Sequence, residues 1–292
     1  MGAFVQHVAL VSESSSVTFD DISTVSAALN KQVTRDFCPI WNVQATVDAF
    51  DKLESVPVDY WPVILQDDIQ TPGAAGYHLD NNGQPFSLVQ VEDNWSLTAS
   101  HEALEMLADP FGSKTIAGAP PPQAPDPVSS FDRVVYLVEV ADPCEDAQYA
   151  YQCNGVLVSD FITPHYYDPG AASGIQYSFC GNIQEPHQVL EKGYVSFGNP
   201  VDNNWYQIQV QDGQVNLVDL GVLDISTGSG KSLRELVDHQ VRVARKNQRY
   251  RLKKLAKAAG AGASPVAAPA AKLARTSAAR AKSLREYAKR LK

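Results

Sequence analysis

Cysteine is scarce in this chain, and the four present, Cys38, Cys144, Cys153 and Cys180, form no C-x-x-C pair. That excludes a cysteine-type zinc site and a disulfide-built fold. Four thiols spread over 292 residues are expected to be reduced and buried, with a Cys144–Cys153 hairpin disulfide as the lesser alternative. Long apolar runs are missing too. No stretch reaches the roughly 20 residues that a membrane-spanning helix needs, so no integral membrane protein is expected. The first residues, Met1-Gly2-Ala3-Phe4-Val5-Gln6-His7, show neither a basic start nor a long apolar segment. No secretory signal is read there, and a cytoplasmic setting is expected. Gln6 stands where N-myristoylation needs Ser or Thr.

Basic side chains are rare until late in the sequence. Residues 1–230 hold 6 Lys and Arg against 30 Asp and Glu, a net −24, whereas residues 231–292 hold 18 against 3, a net +15. The overall charge of −9 therefore joins an acidic body to a basic tail, and the two need separate explanations. A composition 44% hydrophobic and 20% charged supports one or two packed domains.

What is present is a polar triplet in an apolar helix. Residues 100–110 read Ser-His-Glu-Ala-Leu-Glu-Met-Leu-Ala-Asp-Pro and contain His101-Glu102-x-x-Glu105. This is the H-E-x-x-H spacing of helical zinc hydrolases with glutamate as the second ligand. On an α-helix, positions i and i+4 share a face about 6 Å apart along the axis, so both side chains reach one metal ion. Glu102 points past that ion and is the candidate general base. Ser96 or Thr98 is expected to cap the helix, and Pro110 to limit its extension.

Around this helix, residues 5–11 read as a strand. Residues 19–37 read as a helix with an apolar stripe from Ile22 to Phe37, capped by Asp20 or Asp21. Residues 43–50 and 61–65 read as strands. Residues 76–78 and 86–91 flank the hairpin turn Asp80-Asn81-Asn82-Gly83. Residues 131–140, 156–161, 195–197 and 205–210 are further strands, after a loop carrying Pro120, Pro121, Pro122, Pro125 and Pro127. The fold class expected is α+β. Its parts are an upper subdomain over 1–116, a Pro-rich loop over 117–130, a second, mostly β subdomain over 131–225, and a basic helical tail over 226–292. Within the tail, an Ala/Gly/Pro linker spans 258–271.

That element order resembles the upper subdomain of the zincin metallopeptidases, in which a backing helix and a twisted mixed sheet support the active-site helix. The phrases Arg35-Asp36-Phe37-x-Pro39-x-Trp41, Gly83-Gln84-Pro85-Phe86 and Thr98-Ala99-Ser100-His101-Glu102 are similar to a family of uncharacterised bacterial and phage-borne zincin-like proteins. So are Asp142-Pro143-Cys144-Glu145-Asp146 and Asp160-Phe161-x-Thr163-Pro164-His165-Tyr166, giving a resemblance over roughly residues 5–208. It implies a zincin-like fold, an edge strand beside the cleft (76–78 or 86–91), a bacterial or phage-associated setting and a metallopeptidase-like activity. It implies no substrate.

A catalytic zinc usually takes three protein ligands. His101 and Glu105 supply two. Asp109 continues the four-residue repeat but lies about 12 Å along an unbroken helix from His101, too far to share one ion. The third ligand is expected after the Pro-rich loop, from Glu139 or Asp142, or from Asp160 or His165. His165 or Tyr166 is also a candidate catalytic assistant, a tyrosine beside the metal being suited to a developing oxyanion. A carboxylate ligand weakens the ion as a Lewis acid and shifts preference from zinc towards harder divalent cations.

Residues 227–232, Thr-Gly-Ser-Gly-Lys-Ser, imitate a phosphate-binding loop, but Ile225 replaces the required first glycine, so a hinge is expected. The tail is expected to form a basic helix over 232–257 and another from about Lys272. It would bind nucleic acid without sequence preference, or acidic protein surfaces including this chain's own body, with self-association as one outcome. Leu233, Leu236, Val237, Val241 and Ala244 also allow the first turns of the tail to pack on the body. Two functional classes follow: a metal-dependent hydrolase acting on peptide or protein, and a non-catalytic assembly protein on a degenerate zincin scaffold.

Overall fold

A computed structural model describes residues 4–71, 73–223 and 231–244. Most of the expected hinge, the linker at 258–271 and the last basic helix lie outside the described residues. The architecture is α+β: two five-stranded sheets, a small hairpin and four α-helices among the described residues.

The first sheet runs β2 (Ala45–Phe50), β1 (Gln6–Ser12), β3 (Tyr60–Gln66), β5 (Gln84–Gln90), β4 (Gly76–Asn81). Its pairings are parallel except for β4, which runs antiparallel to β5 and forms the edge. The runs Val8–Val11 and Val63–Leu65 are buried throughout because both sheet faces are covered. On one face Val8, Leu10, Val63 and Leu65 meet α1 (Phe19–Lys31) and α3 (Trp95–Ala108). On the other, Ala9, Val11, Ile64 and Leu88 pack with Leu53, Val56 and Ile69. The β4–β5 turn places Asn82 and Gly83 at φ 54° and 87°, the left-handed pair that tight hairpins require.

Helix α1 is capped by Thr18 rather than by the aspartates alone. The Thr18 hydroxyl accepts from the Asp21 amide, and the Asp21 carboxylate accepts from the Thr18 amide, a reciprocal capping box. The helix then widens into a π-turn at Gln32–Phe37 before α2 (Cys38–Trp41). The widening puts Gln32, fully buried, against the second half of the chain: its Nε2 donates to the Ser159 carbonyl and its Oε1 accepts from Ser100 of α3. Two of the sequence phrases meet nearby. Phe37 packs edge-on against Phe161 at 5.1 Å, and Trp41 Nε1 donates to the Ile162 carbonyl.

The second sheet is antiparallel throughout, in the order β12 (Gln214–Val222), β11 (Asn204–Gln211), β10 (Tyr194–Gly198), β7 (Val134–Leu137), β6 (Thr115–Gly118). The strand expected over 131–140 is shorter, and the start of the Pro-rich segment supplies edge strand β6. The β8 (Tyr151–Cys153) and β9 (Val156–Val158) hairpin lies beside α1 and α3. All four thiols are free, so no Cys144–Cys153 disulfide forms. Residues of both halves, such as Val33, Leu104, Val138 and Phe161, share one core. Among the described residues no helix is long and apolar enough to cross a membrane.

The start of the basic tail is not separate from the body. Residues 233–244 form α4, whose Leu233, Val237 and Val241 are buried against Leu137, Trp205, Leu220 and Leu223. The spacing i, i+4, i+8 gives this helix one apolar stripe, which outweighs its charge. The first turns of the tail thus pack on the body, as Leu233, Val237 and Val241 allow.

Candidate metal centre

Helix α3 lies between the first sheet and the second half of the chain, and every residue from Ala99 to Ala108 is buried. A polar side chain in such a helix must find partners or a cation. His101 Nε2 lies 3.3 Å from Glu105 Oε1, as the i, i+4 spacing dictates. Asp142, in the turn Asp142–Cys144, brings its Oδ1 to 3.1 Å from the same nitrogen. Donors bound tetrahedrally at about 2.0–2.1 Å stand about 3.3–3.4 Å apart, so these separations suit a shared ion. The three residues each offer a ligand atom within 4.8 Å of the others, and all are buried. Asp142 Oδ1 has this ion pair but no aligned hydrogen bond, an orphaned donor set that fits a divalent cation.

A second group adjoins the first through Glu105. His78 of β4, Glu105 and Glu139 also present ligand atoms within 4.8 Å of one another. Arg234 of α4 reaches in between them. Its Nη1 donates to Glu105 Oε2 at 2.8 Å, to His78 Nδ1 at 3.0 Å and to Glu139 Oε2. His78 Nε2 donates to the Asp109 carbonyl at 3.1 Å, which leaves Nδ1 as the acceptor facing the cluster. Glu105 is tied down further by the Ala141 amide, which donates to its Oε1.

Buried carboxylates outnumber buried cations here: Glu102, Glu105, Glu139 and Asp142 face Arg234 and His101. The proton affinities of these groups follow from the excess. Burial opposes charge on His101, but Glu105 and Asp142 outweigh it and hold the imidazolium well above its usual range. Burial likewise opposes the Glu105 charge, yet His101 and Arg234 hold that carboxyl well below the ordinary range. For Glu139 burial wins, and its carboxyl is pushed well up despite Arg234. Burial and then Glu105 raise Asp142 to about 6, and burial and then Asp142 raise Glu145 to about 8.

Glu102 stands at the edge of this cluster. It lines a cleft of about 590 Å³ bounded by β4, α3 and α4, with Gly76, Thr98 and Arg234 among its walls. Its Oε2 is buried without a hydrogen-bond partner and lies 3.7 Å from His78 Nδ1. A Cβ at Gly76 would come within 2.7 Å of Glu102 Oε1 and of Thr98 Cγ2, so the edge strand approaches this carboxylate because residue 76 has no side chain. Gly76→Ala is therefore expected to displace Glu102 at a cost of about 1–3 kcal/mol of packing strain. Any hydrolytic rate should fall while bound metal stays constant; unchanged kinetics would detach Glu102 from the chemistry. A second hollow, of about 700 Å³ beside Gln6, Cys38 and Trp61, is lined by no carboxylate or imidazole.

Of the sequence candidates, His101, Glu102, Glu105, Glu139 and Asp142 converge. His165 does not: it is exposed and pairs through Nδ1 with Asp168 at 2.7 Å. Tyr166 is fully buried, packed edge-on against Tyr167 and His187. It is Tyr167 whose hydroxyl feels the cluster, raised well above its usual range by burial and then by Glu139 and Glu105. Asp160 is a turn-builder, accepting from the Phe161 and Cys180 amides and from Asn182. Asp109 accepts from the Lys114 amide, and its carbonyl orients His78, so its side chain serves the turn after α3.

Two members were missed in the sequence, His78 and Arg234. His78 carried a signal only through its place on a strand next to the motif helix. Arg234 was masked by the charge of the tail, although the Leu233–Val237–Val241 stripe marks its helix as docked. No family model, no curated protein and no solved structure matches this chain, so the centre is interpreted from its own donor set and geometry.

Proposed function

We propose that this chain is a metal-dependent hydrolase of zincin-like design acting on peptide or protein substrates. The observation that carries it is the meeting of the buried His101, Glu105 and Asp142 next to Glu102, which together with His101 lines a cleft. A divalent ion there, zinc or a harder cation favoured by two carboxylates, would supply Lewis acidity that polarises a carbonyl and makes water nucleophilic near neutral pH. Glu102 is placed to take a proton at its unpaired Oε2 and return it to the leaving amine. Edge strand β4 forms one wall of the cleft, where a peptide would lie along the sheet. The test is metal analysis after dialysis against zinc. The full chain should retain about one ion, the number one three-ligand centre holds, and His101→Ala and Asp142→Asn should lose it. Retention unchanged in both variants, or none in the parent chain, removes the proposal.

One observation favours a non-catalytic assembly protein instead: an arginine, not an open position, stands between His78, Glu105 and Glu139. In that reading the work lies in the basic segment after residue 244, with 15 Lys and Arg against Glu286 alone. Such a segment would bind nucleic acid through phosphate charge, with affinity falling steeply between about 50 and 200 mM salt. A chain ending at residue 244 should lose that binding. Salt-insensitive or absent binding by the full chain, with self-association lost on truncation, would point to acidic protein surfaces.

A further inference from the structure

Arg234 is a poor fit for the place it fills. One Nη1 carries two hydrogens and faces three acceptors, His78 Nδ1, Glu105 Oε2 and Glu139 Oε2. The guanidinium fork is not used bidentately, and Arg234 Nε, buried, has no hydrogen bond; its nearest carboxylate, Asp238, is 3.8 Å away. Glu139 Oε1 is also buried and unpartnered. Three ligand atoms thus converge on one nitrogen that cannot satisfy them all, whereas a metal ion accepts every lone pair offered to it. The second-sphere contact is in place as well, since the Asp109 carbonyl fixes His78 with Nδ1 facing inward.

We propose that His78, Glu105 and Glu139 form a second divalent-cation site, occupied either by the Arg234 guanidinium or, when that side chain is withdrawn, by a metal ion. The donor set, one imidazole and two carboxylates, suits zinc, manganese or iron(II). Glu105 belongs to both groups, its Oε1 facing His101 and its Oε2 facing His78 and Arg234. With both sites filled, Glu105 would bridge two ions, and the Arg234 side chain would control whether the centre holds one or two. The second site stands on its own ligands and does not depend on hydrolysis.

The experiment counts bound manganese and zinc in the full chain and in Arg234→Gln. The substitution removes the cation and leaves every ligand. Arg234→Gln is expected to bind about one ion more than the parent chain, the capacity of one added three-ligand site. Adding His78→Ala or Glu139→Gln should abolish that extra ion. The same comparison in a His101→Ala background separates the two sites: the difference due to Arg234→Gln should persist there although the first site is disabled. Equal stoichiometry with and without Arg234 overturns the proposal, whatever the first site does. Should Arg234→Gln fail to fold in EDTA, folding rescued by millimolar manganese, and no longer dependent on it after Glu139→Gln, supports the site. A variant that stays unfolded with manganese present overturns it.

Discussion

Glu102→Gln is expected to lower hydrolysis of a peptide library by about 10²–10⁴-fold, the range for a lost general base. Metal content and thermal midpoint should hardly change. The substitution keeps the shape of the side chain and its place in the cleft, and it removes a proton acceptor that has no hydrogen bond to lose at Oε2. His101→Ala should behave oppositely, losing metal and activity together, because His101 Nε2 is the nitrogen that Glu105 and Asp142 share. The contrast separates a base from a ligand. If Glu102→Gln and the parent chain cleave equally, or if neither cleaves anything, Glu102 has no catalytic role and the assembly reading takes precedence.

Ending the chain at residue 230 should cost most of its stability. Leu233, Val237 and Val241 are buried in the docked helix, each contributing about 1.5–3 kcal/mol by burial. Loss of Arg234 would add about 3–5 kcal/mol by leaving buried carboxylates without their cation. Typical domains hold only about 5–15 kcal/mol in all. A chain ending at residue 244 keeps all these contacts and should melt like the full chain. Urea titration of the three lengths would decide. Equal midpoints for chains ending at 230 and 292 would show that α4 is a surface ornament, and the account of Arg234 would fall with it.

How much of this was legible in the sequence depends on how local each signal is. The His101–Glu105 pair, the Asn82-Gly83 turn and the buried strands declare themselves because short-range geometry fixes them. Asp142 stood among four possible third ligands, since nothing local says which loop crosses over α3. His165 and Tyr166 were offered by the sequence of one segment, but the short turn leaves His165 exposed beside Asp168 and packs Tyr166 against Tyr167 and His187. The strand over Gln214–Val222 went unread because most of its residues are exposed and lack a clean alternation. Charge composition misled most. A +15 tail suggested separation, whereas its first helix carries the stripe that docks it and the arginine that enters the centre.

The buried link among Gln32, Ser100 and Ser159 has a consequence for inheritance of the site. Ser100 Oγ donates to Gln32 Oε1 and accepts from the Ser159 amide, while Gln32 Nε2 returns to the Ser159 carbonyl. Ser100 immediately precedes His101, so this closed loop acts as a dowel that sets the rotation of α3. A slip of one residue would turn the helix by about 100° and advance it about 1.5 Å, and donor sets tolerate only about 0.5 Å of misplacement. Substitution at Gln32, which belongs to neither donor set, would therefore detune the candidate metal centre while sparing every residue in it.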